Sequence, residues 1–217
     1  MILSKSNKKI FCTVTSSRAE FGILRNLLLG LRKDSSLTTK LIVIGSHLSK
    51  QHGFTINEIV KSNLNIYKKI PTIYENDKPH DICKSTSIIL KKLSKIFSYL
   101  KPDLLIVLGD RYEILVTAFV ATLHKIPIAH ISGGETTEGS YDNQFRHSIS
   151  KMSFLHFVSN YIYKKKLIQM GENPKNIFNF GSISLDNLKR EVFISKQKIE
   201  KKFNIKFRKT NFLVTYH

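Results

Sequence analysis

The residues of this chain most able to do chemistry are carboxylates set beside glycine or arginine. Asp110 stands in Gly109-Asp110-Arg111, Glu135 follows Gly133-Gly134, and Asp142 precedes Arg146 by four positions. A glycine pair permits a tight turn that brings a carboxylate and backbone N–H groups against a ligand. Carboxylates brought close together repel, which raises the pKa of one and suits it to acid–base work. Each residue also has a plainer reading. Asp110 is equally placed to cap a helix over 112–124, with Arg111 facing solvent. Asp142 and Arg146 have the spacing of a surface ion pair on one helix, worth about 0.3 kcal/mol.

Ser16-Ser17-Arg18-Ala19-Glu20 admits two readings of its own. Serine followed by an acidic residue in the first turn is ordinary helix capping. Alternatively, free N–H groups and Arg18 hold a diphosphate at the helix N-terminus. The segment lacks G-x-G-x-x-G, which argues against a nicotinamide site. The histidines show no ligand spacing on a helix face, so no metal is expected. Cys12 and Cys83 lack metal-type spacing, and Cys12 lies in an apolar run, as a small core residue does. A disulfide framework is excluded and a cytoplasmic location is expected.

Elements able to position these residues are visible in the pattern. Short apolar runs recur at 10–14, 41–44, 104–108, 126–131, 155–158, 177–180 and 212–214. Continuous Ile/Val-rich runs of this length predict strands buried on both faces of a parallel sheet. Helical spacing lies between them: Phe21, Leu24, Leu28 and Leu31, then Ile89, Leu93, Ile96 and Leu100, with Pro102 ending the second helix. The alternation predicts an α/β fold, a Rossmann-like doubly wound parallel sheet. In such sheets ligands bind outside the carboxyl ends of the strands. Ser16–Glu20, Gly45-Ser46-His47, Gly109–Arg111, Ser132–Glu135, Ser159 and Gly181-Ser182 all fall there. Residues 1–185 are read as one domain. Residues 186–217 are read as a charged helical connector followed by the first strand of a second domain.

The charge balance bounds the partners. Among 217 residues, 35 Lys and Arg against 16 Asp and Glu give a formal charge of +19. The lysines are spread along the whole length instead of forming one stripe, so no nucleic-acid partner is expected, and a phosphate-rich small substrate fits the charge. No uncharged apolar run approaches the roughly 18 residues that a membrane span needs, and no membrane partner is expected.

In combination and order, several of these motifs are recognisable. Ser17-Arg18-Ala19-Glu20-Phe21-Gly22, Gly45-Ser46-His47-Leu48, Leu108-Gly109-Asp110-Arg111, His130-Ile131-Ser132-Gly133-Gly134-Glu135, Asp142…Arg146-His147-Ser148-Ile149-Ser150-Lys151 and Gly181-Ser182 resemble the hydrolysing UDP-N-acetylglucosamine 2-epimerases, most closely their sialic-acid branch. The resemblance implies the N-terminal domain of a two-domain, glycosyltransferase-B-type enzyme. Such an enzyme eliminates UDP from the sugar and adds water to give N-acetylmannosamine, without cofactor or metal. It also implies that Asp110, Glu135, Asp142 and His217 are catalytic and that Arg18, Gly22, His47, Arg111 and Arg146 bind substrate. A homo-oligomer is expected of the full-length enzyme. UDP-2,4-diacetamido-2,4,6-trideoxyglucose is an alternative substrate, and an inactive fragment is a further reading. Two rival functions are a glycosyltransferase of the same architecture and a basic nucleic-acid-binding module.

Overall fold

The computed structural model describes residues 8–72, 78–186 and 193–215. Seven strands form one sheet: β1 (Lys9–Thr15), β2 (Leu37–Ile44), β3 (Ile66–Ile70), β4 (Leu104–Leu108), β5 (Ile128–Ile131), β6 (Leu155–Val158) and β7 (Ile177–Asn179). Their order is β3-β2-β1-β4-β5-β6-β7, and every neighbouring pair is parallel. This is the doubly wound order, with its switch point between β1 and β4. The apolar runs at 10–14 and 104–108 thus form adjacent inner strands, as their composition predicts.

Alternation along each strand feeds two cores. Cys12, Val14, Leu105, Val107 and Ile128 face α3 (Pro79–Leu100), α4 (Tyr112–Leu123) and α5 (Asp142–Met152). Leu41, Val43, Ile106, Leu108 and Ile131 face α1 (Arg18–Lys33) and α2 (Ile56–Lys61). Ser17 caps α1 by accepting from the Glu20 N–H. At the far end of α3, Lys101 takes a left-handed conformation and Pro102 follows, so the helix stops where the sequence requires. The helix expected over 112–124 is α4, one residue shorter.

One expectation is corrected. The run at 212–214 is not a strand: Phe212, Leu213 and Val214 are 88%, 96% and 84% exposed. An apolar run becomes a strand only with a neighbour to pair, and none pairs with it among the described residues. Of the connector, the described residues include α7 (Lys196–Phe203), after α6 (Tyr161–Gln169), while residues 187–192 lie outside the described residues. In addition, β3 carries no expectation from sequence. Its Lys68-Lys69 interrupts the apolar run, which suits an edge strand, where lysine discourages pairing with another chain.

Candidate active site

The carboxyl ends of β1 and β4 meet at a buried charge cluster. Glu20, in the first turn of α1, bends back to accept from the Ser16 N–H at 2.8 Å and the Ser16 hydroxyl at 2.7 Å. Its Oε1 lies 4.0 Å from Nε of Arg111, the residue just before α4. Arg111 in turn donates twice to Glu113, at 3.1 Å from Nε and 3.1 Å from Nη2. Burial pushes the Glu20 carboxyl up to about 7, the nearby Glu113 adds to the rise, and the Ser16 bonds and Arg111 oppose it. Burial works against the Arg111 charge, but Glu113 and then Glu20 outweigh it and hold the guanidinium above its ordinary range. A carboxyl with a raised pKa therefore stands at the strand ends in Glu20.

A second network joins β4, β5 and α5. Gly109, at φ +83°, turns the chain out of β4, and its carbonyl accepts from His130 Nε2 at 2.8 Å. A carbonyl can only accept, so Nε2 carries the proton; Nδ1 lies 3.1 Å from the Ser150 hydroxyl, which donates to the Arg146 carbonyl at 3.0 Å. Burial depresses His130 to about 3, so it remains neutral. Ser150 and Arg146 lie one turn apart on α5, and Arg146 Nη2 donates to the Asp110 carboxylate. Only 9% of the Arg146 side chain is exposed, against 22% of Asp110.

This packing explains the glycine pair. A Cβ on Gly133 would meet His130 Nδ1 and Ser150 Oγ, each at 3.0 Å. Gly134 has φ +75°, and a Cβ there would lie 2.9 Å from both Leu167 Cγ and the Tyr163 carbonyl. The turn after β5 thus runs tight against α5 and α6 and delivers Glu135, whose Oε1 accepts from the Ser159 hydroxyl at 2.8 Å beyond β6. Lys166 of α6 donates to the neighbouring Thr136 hydroxyl.

Of the residues singled out from sequence, Asp110, Glu135 and Asp142 all follow adjacent strand ends. Arg146 pairs with Asp110, not with Asp142 on its own helix, so the surface ion pair expected there is absent. Asp142 instead accepts from Ser140 at 2.9 Å. Asp110 does not cap α4, whose N-cap is Arg111 with no side-chain bond. Arg18 is exposed and pairs with Glu58 at 3.0 Å. Gly22 is exposed on α1. His47 is fully buried, its ring between Thr15 at 3.2 Å and Thr55 at 2.8 Å, and burial lowers it to about 4. It braces the β1 and β2 ends from within. His217 lies outside the described residues. Glu113 carries no expectation from sequence; His130, Ser150 and Glu20 stand in the recognisable motifs, but the sequence assigns them no role in the site beyond capping by Glu20. Among the described residues no group of three His, Cys, Asp or Glu side chains is placed to hold a metal ion.

An apolar cavity of about 360 Å³ also opens on the α1 face of the sheet, lined by Leu27, Leu31, Ile106, Phe157 and Ile183 among others. Most of its wall is carbon; Ser159, which bonds Glu135, is part of that wall, whereas Glu20, Arg111, Asp110 and Arg146 are not.

The family model described as UDP-N-acetylglucosamine 2-epimerase matches residues 30–217. The chain belongs to this family. A Campylobacter jejuni GDP/UDP-N,N'-diacetylbacillosamine 2-epimerase (hydrolyzing) is 45% identical over 97% of the chain and 55% of its own length. The Escherichia coli polysialic acid biosynthesis protein P7 is 41% identical over 94% of the chain and 52% of its own length. A crystal structure of a UDP-N-acetylglucosamine 2-epimerase shares the fold with a TM-score of 0.77 at 21% identity, covering 89% of this chain and 55% of that one. The Neisseria meningitidis enzyme bound to UDP-GlcNAc shares it with a TM-score of 0.73 at 21% identity, covering 90% and 54%. The chain spans about half the length of these relatives. Its fold is that of the glycosyltransferase-B-type epimerases.

Proposed function

We propose that this chain is the sugar-side domain of a hydrolysing UDP-sugar 2-epimerase of the sialic-acid branch, acting on UDP-N-acetylglucosamine. The observation that carries the reading is the Asp110–Arg146 pair at the end of β4, with Asp142 one turn away on α5 and Glu135 on the adjoining loop. In this reading a carboxylate takes the proton from C2 as the C1–O bond breaks and its electron pair leaves with UDP, giving a 2-acetamidoglucal. Water then adds, its oxygen to C1 and a proton to the opposite face of C2, giving N-acetylmannosamine. Arg111 and Arg146 supply fixed positive charge for the departing diphosphate, the kind of preorganised stabilisation that is strongest where water is excluded. His217, Arg18 and Gly22 are assigned to the same site, and His47 to its support.

The relatives' greater length supports a division of labour in which residues 1–185 form this domain and residues 186–217 lead into a second one that holds the nucleotide. The active protein is then a homo-oligomer of two-domain chains in the cytoplasm, with no cofactor.

A second reading keeps the chemistry and changes the sugar. The 45%-identical Campylobacter relative favours a UDP-2,4-diacetamido-2,4,6-trideoxyglucose substrate. The test is a chimera in which residues 1–217 replace the matching half of that relative. It is assayed in D2O with each UDP-sugar for released UDP and for deuterium at C2 of the product. UDP release with C2 deuteration supports the elimination route, and the better substrate identifies the sugar. A folded chimera that releases no UDP from either sugar sinks the proposal.

A further inference from the structure

We infer that Glu20 is a positioning residue for Arg111: its carboxyl group, anchored on Ser16 and buried beside the guanidinium, sets the charge that Arg111 offers to an anionic ligand at the strand ends. The inference rests on the reading of Arg111 as a ligand contact proposed above.

The geometry is layered. Glu113 is fully buried and the Glu20 side chain is 6% exposed, whereas 40% of the Arg111 side chain remains open. The guanidinium thus lies between two interior carboxyl groups and solvent. Glu113 holds it by two hydrogen bonds, and Glu20 stands beside Nε without a bond of its own to it. Two carboxylates against one guanidinium leave surplus negative charge in a space with little water, and an arriving diphosphate adds more. A proton on Glu20 relieves that surplus. Burial already favours the protonated form, and Ser16 can keep the side chain in place through its N–H in either state.

Among the described residues, the other charged and titratable groups that face the cluster have partners of their own. On the same helix, Arg18 turns outward to Glu58. At the end of β2, His47 packs edge-on against Phe21 and burial lowers it to about 4. From α4, Glu113 is committed to Arg111, and the Tyr112 ring stacks on the guanidinium, its centroid 5.8 Å from Cζ. With Glu20 protonated, only Glu113 answers the Arg111 charge, and more of it is left for a ligand. By linkage, an anion that binds Arg111 draws a proton onto Glu20, and its affinity falls as pH rises through about 7.

The experiment follows the Arg111 Nε–Hε resonance of the 217-residue chain by NMR from pH 5.5 to 8.5, alone and with UDP-N-acetylglucosamine. That probe is chosen because its diphosphate is a diester with no ionisation in the range. The resonance should titrate with a midpoint near 7, and affinity should drop about fivefold or more from pH 6 to pH 8. Glu20→Gln, which preserves shape and fold, should abolish the titration and hold affinity at its pH 6 value throughout. Arg111→Ala should lose binding at every pH. A resonance that is flat with pH, or that titrates unchanged in Glu20→Gln, overturns the role of Glu20. So does binding that needs Arg111 yet ignores pH. If instead the resonance titrates through Glu20 but the UDP-sugar leaves Arg111 unperturbed, the assignment of Arg111 to the ligand is what fails, and the ligand half of this inference fails with it.

Discussion

Arg146, nearly buried on α5, holds the carboxylate of Asp110 at the end of β4, 36 positions away in sequence. The pair ties the helix that starts with Asp142 to the turn that starts α4, and so fixes two candidate site loops against each other. Its Nε is buried with no hydrogen-bond partner, so Asp110 is the charge that compensates this guanidinium.

Removing Asp110 should therefore cost stability as well as chemistry. Asp110→Ala is expected to destabilise the fold by about 2 kcal/mol, less than a fully buried broken pair costs because Asp110 is partly exposed. Asp110→Asn keeps an acceptor and should cost about 1 kcal/mol. Urea melts of both, with Arg146→Leu completing a double-mutant cycle, measure the coupling. Strict additivity would show the pair to be inert.

The glycines at the strand ends should rank by mechanism. Gly109 has φ +83° but open space around it, so Gly109→Ala should cost about 1 kcal/mol from backbone strain alone. In Gly133→Ala the backbone is ordinary, but the methyl meets His130 and Ser150 at 3.0 Å, and overpacking of this kind costs about 1–3 kcal/mol. Gly134→Ala combines left-handed strain with contact at 2.9 Å on a backbone carbonyl that cannot swing away, and should be the worst of the three. Chemical denaturation gives the order directly. Equal losses in all three would contradict the contact geometry.

The pH dependence of stability has opposing contributions. Glu20 is raised from 4.5 to about 7, so its contribution is fully present below about 4.5 and is lost as pH rises to about 7. At 1.36 kcal/mol per unit this amounts to ~3 kcal/mol. His47 and His130 are depressed to about 4 and about 3, so they add stability above 6.5 that is lost as pH falls toward those values. The histidines outnumber the glutamate, and the protein should be acid-labile below about pH 6. Subtracting wild-type from Glu20→Gln stability isolates the glutamate. The difference should move in favour of the variant by ~3 kcal/mol between pH 4.5 and 7, and a constant difference would contradict the raised carboxyl.

Only one thiol should react in the native chain. Cys83 is exposed, whereas Cys12 is fully buried in β1 and burial pushes its thiol up to about 12. Titration with a thiol reagent at pH 8 should count one cysteine natively and two in denaturant. Two fast native thiols would mean that β1 opens easily.

These features differ in how far they can be read from sequence. Strands β1 and β4 are legible because an inner parallel strand is apolar on both faces, which leaves a run broken at most by a small residue such as Thr13. The edge strand β3 is hidden by Lys68-Lys69, since an edge tolerates charge. Residues 212–214 have the composition of a strand, but a local run carries no information about whether a neighbour exists to pair with it. The position of Asp110 and Glu135 at strand ends follows from topology alone. The partner of Arg146 does not, because the helix-spacing rule sees only residues on the same helix, and Asp110 arrives from another strand. Glu20 is the clearest case. A serine and a glutamate in a first turn look like solvent-exposed capping, and only the packing of Arg111 and Glu113 over them makes that glutamate a buried, proton-binding group.

The catalytic assignment is tested through the two walls of a cleft. The chain spans about half the length of the relatives it matches, and water left in an open site weakens each electrostatic contact with the charge developing on a leaving diphosphate. The 217-residue chain by itself should therefore bind UDP-N-acetylglucosamine weakly and turn it over negligibly. In the chimera that restores the second wall, Asp110→Asn, Glu135→Gln and His217→Ala should each lower UDP release about 100-fold or more, as expected for positioned acid–base groups. Asp110→Asn also loosens Arg146, so its melting point must be compared with its rate: a variant folded at assay temperature but slow locates the defect in chemistry. Lys151→Ala is the control. It removes a surface cation whose bonds go to Glu172 and the Met170 carbonyl, and should leave the rate within about twofold. Robust turnover by the isolated chain would make the second wall dispensable. Unchanged rates in all three site variants would leave the carboxylates at these strand ends with a purely structural role.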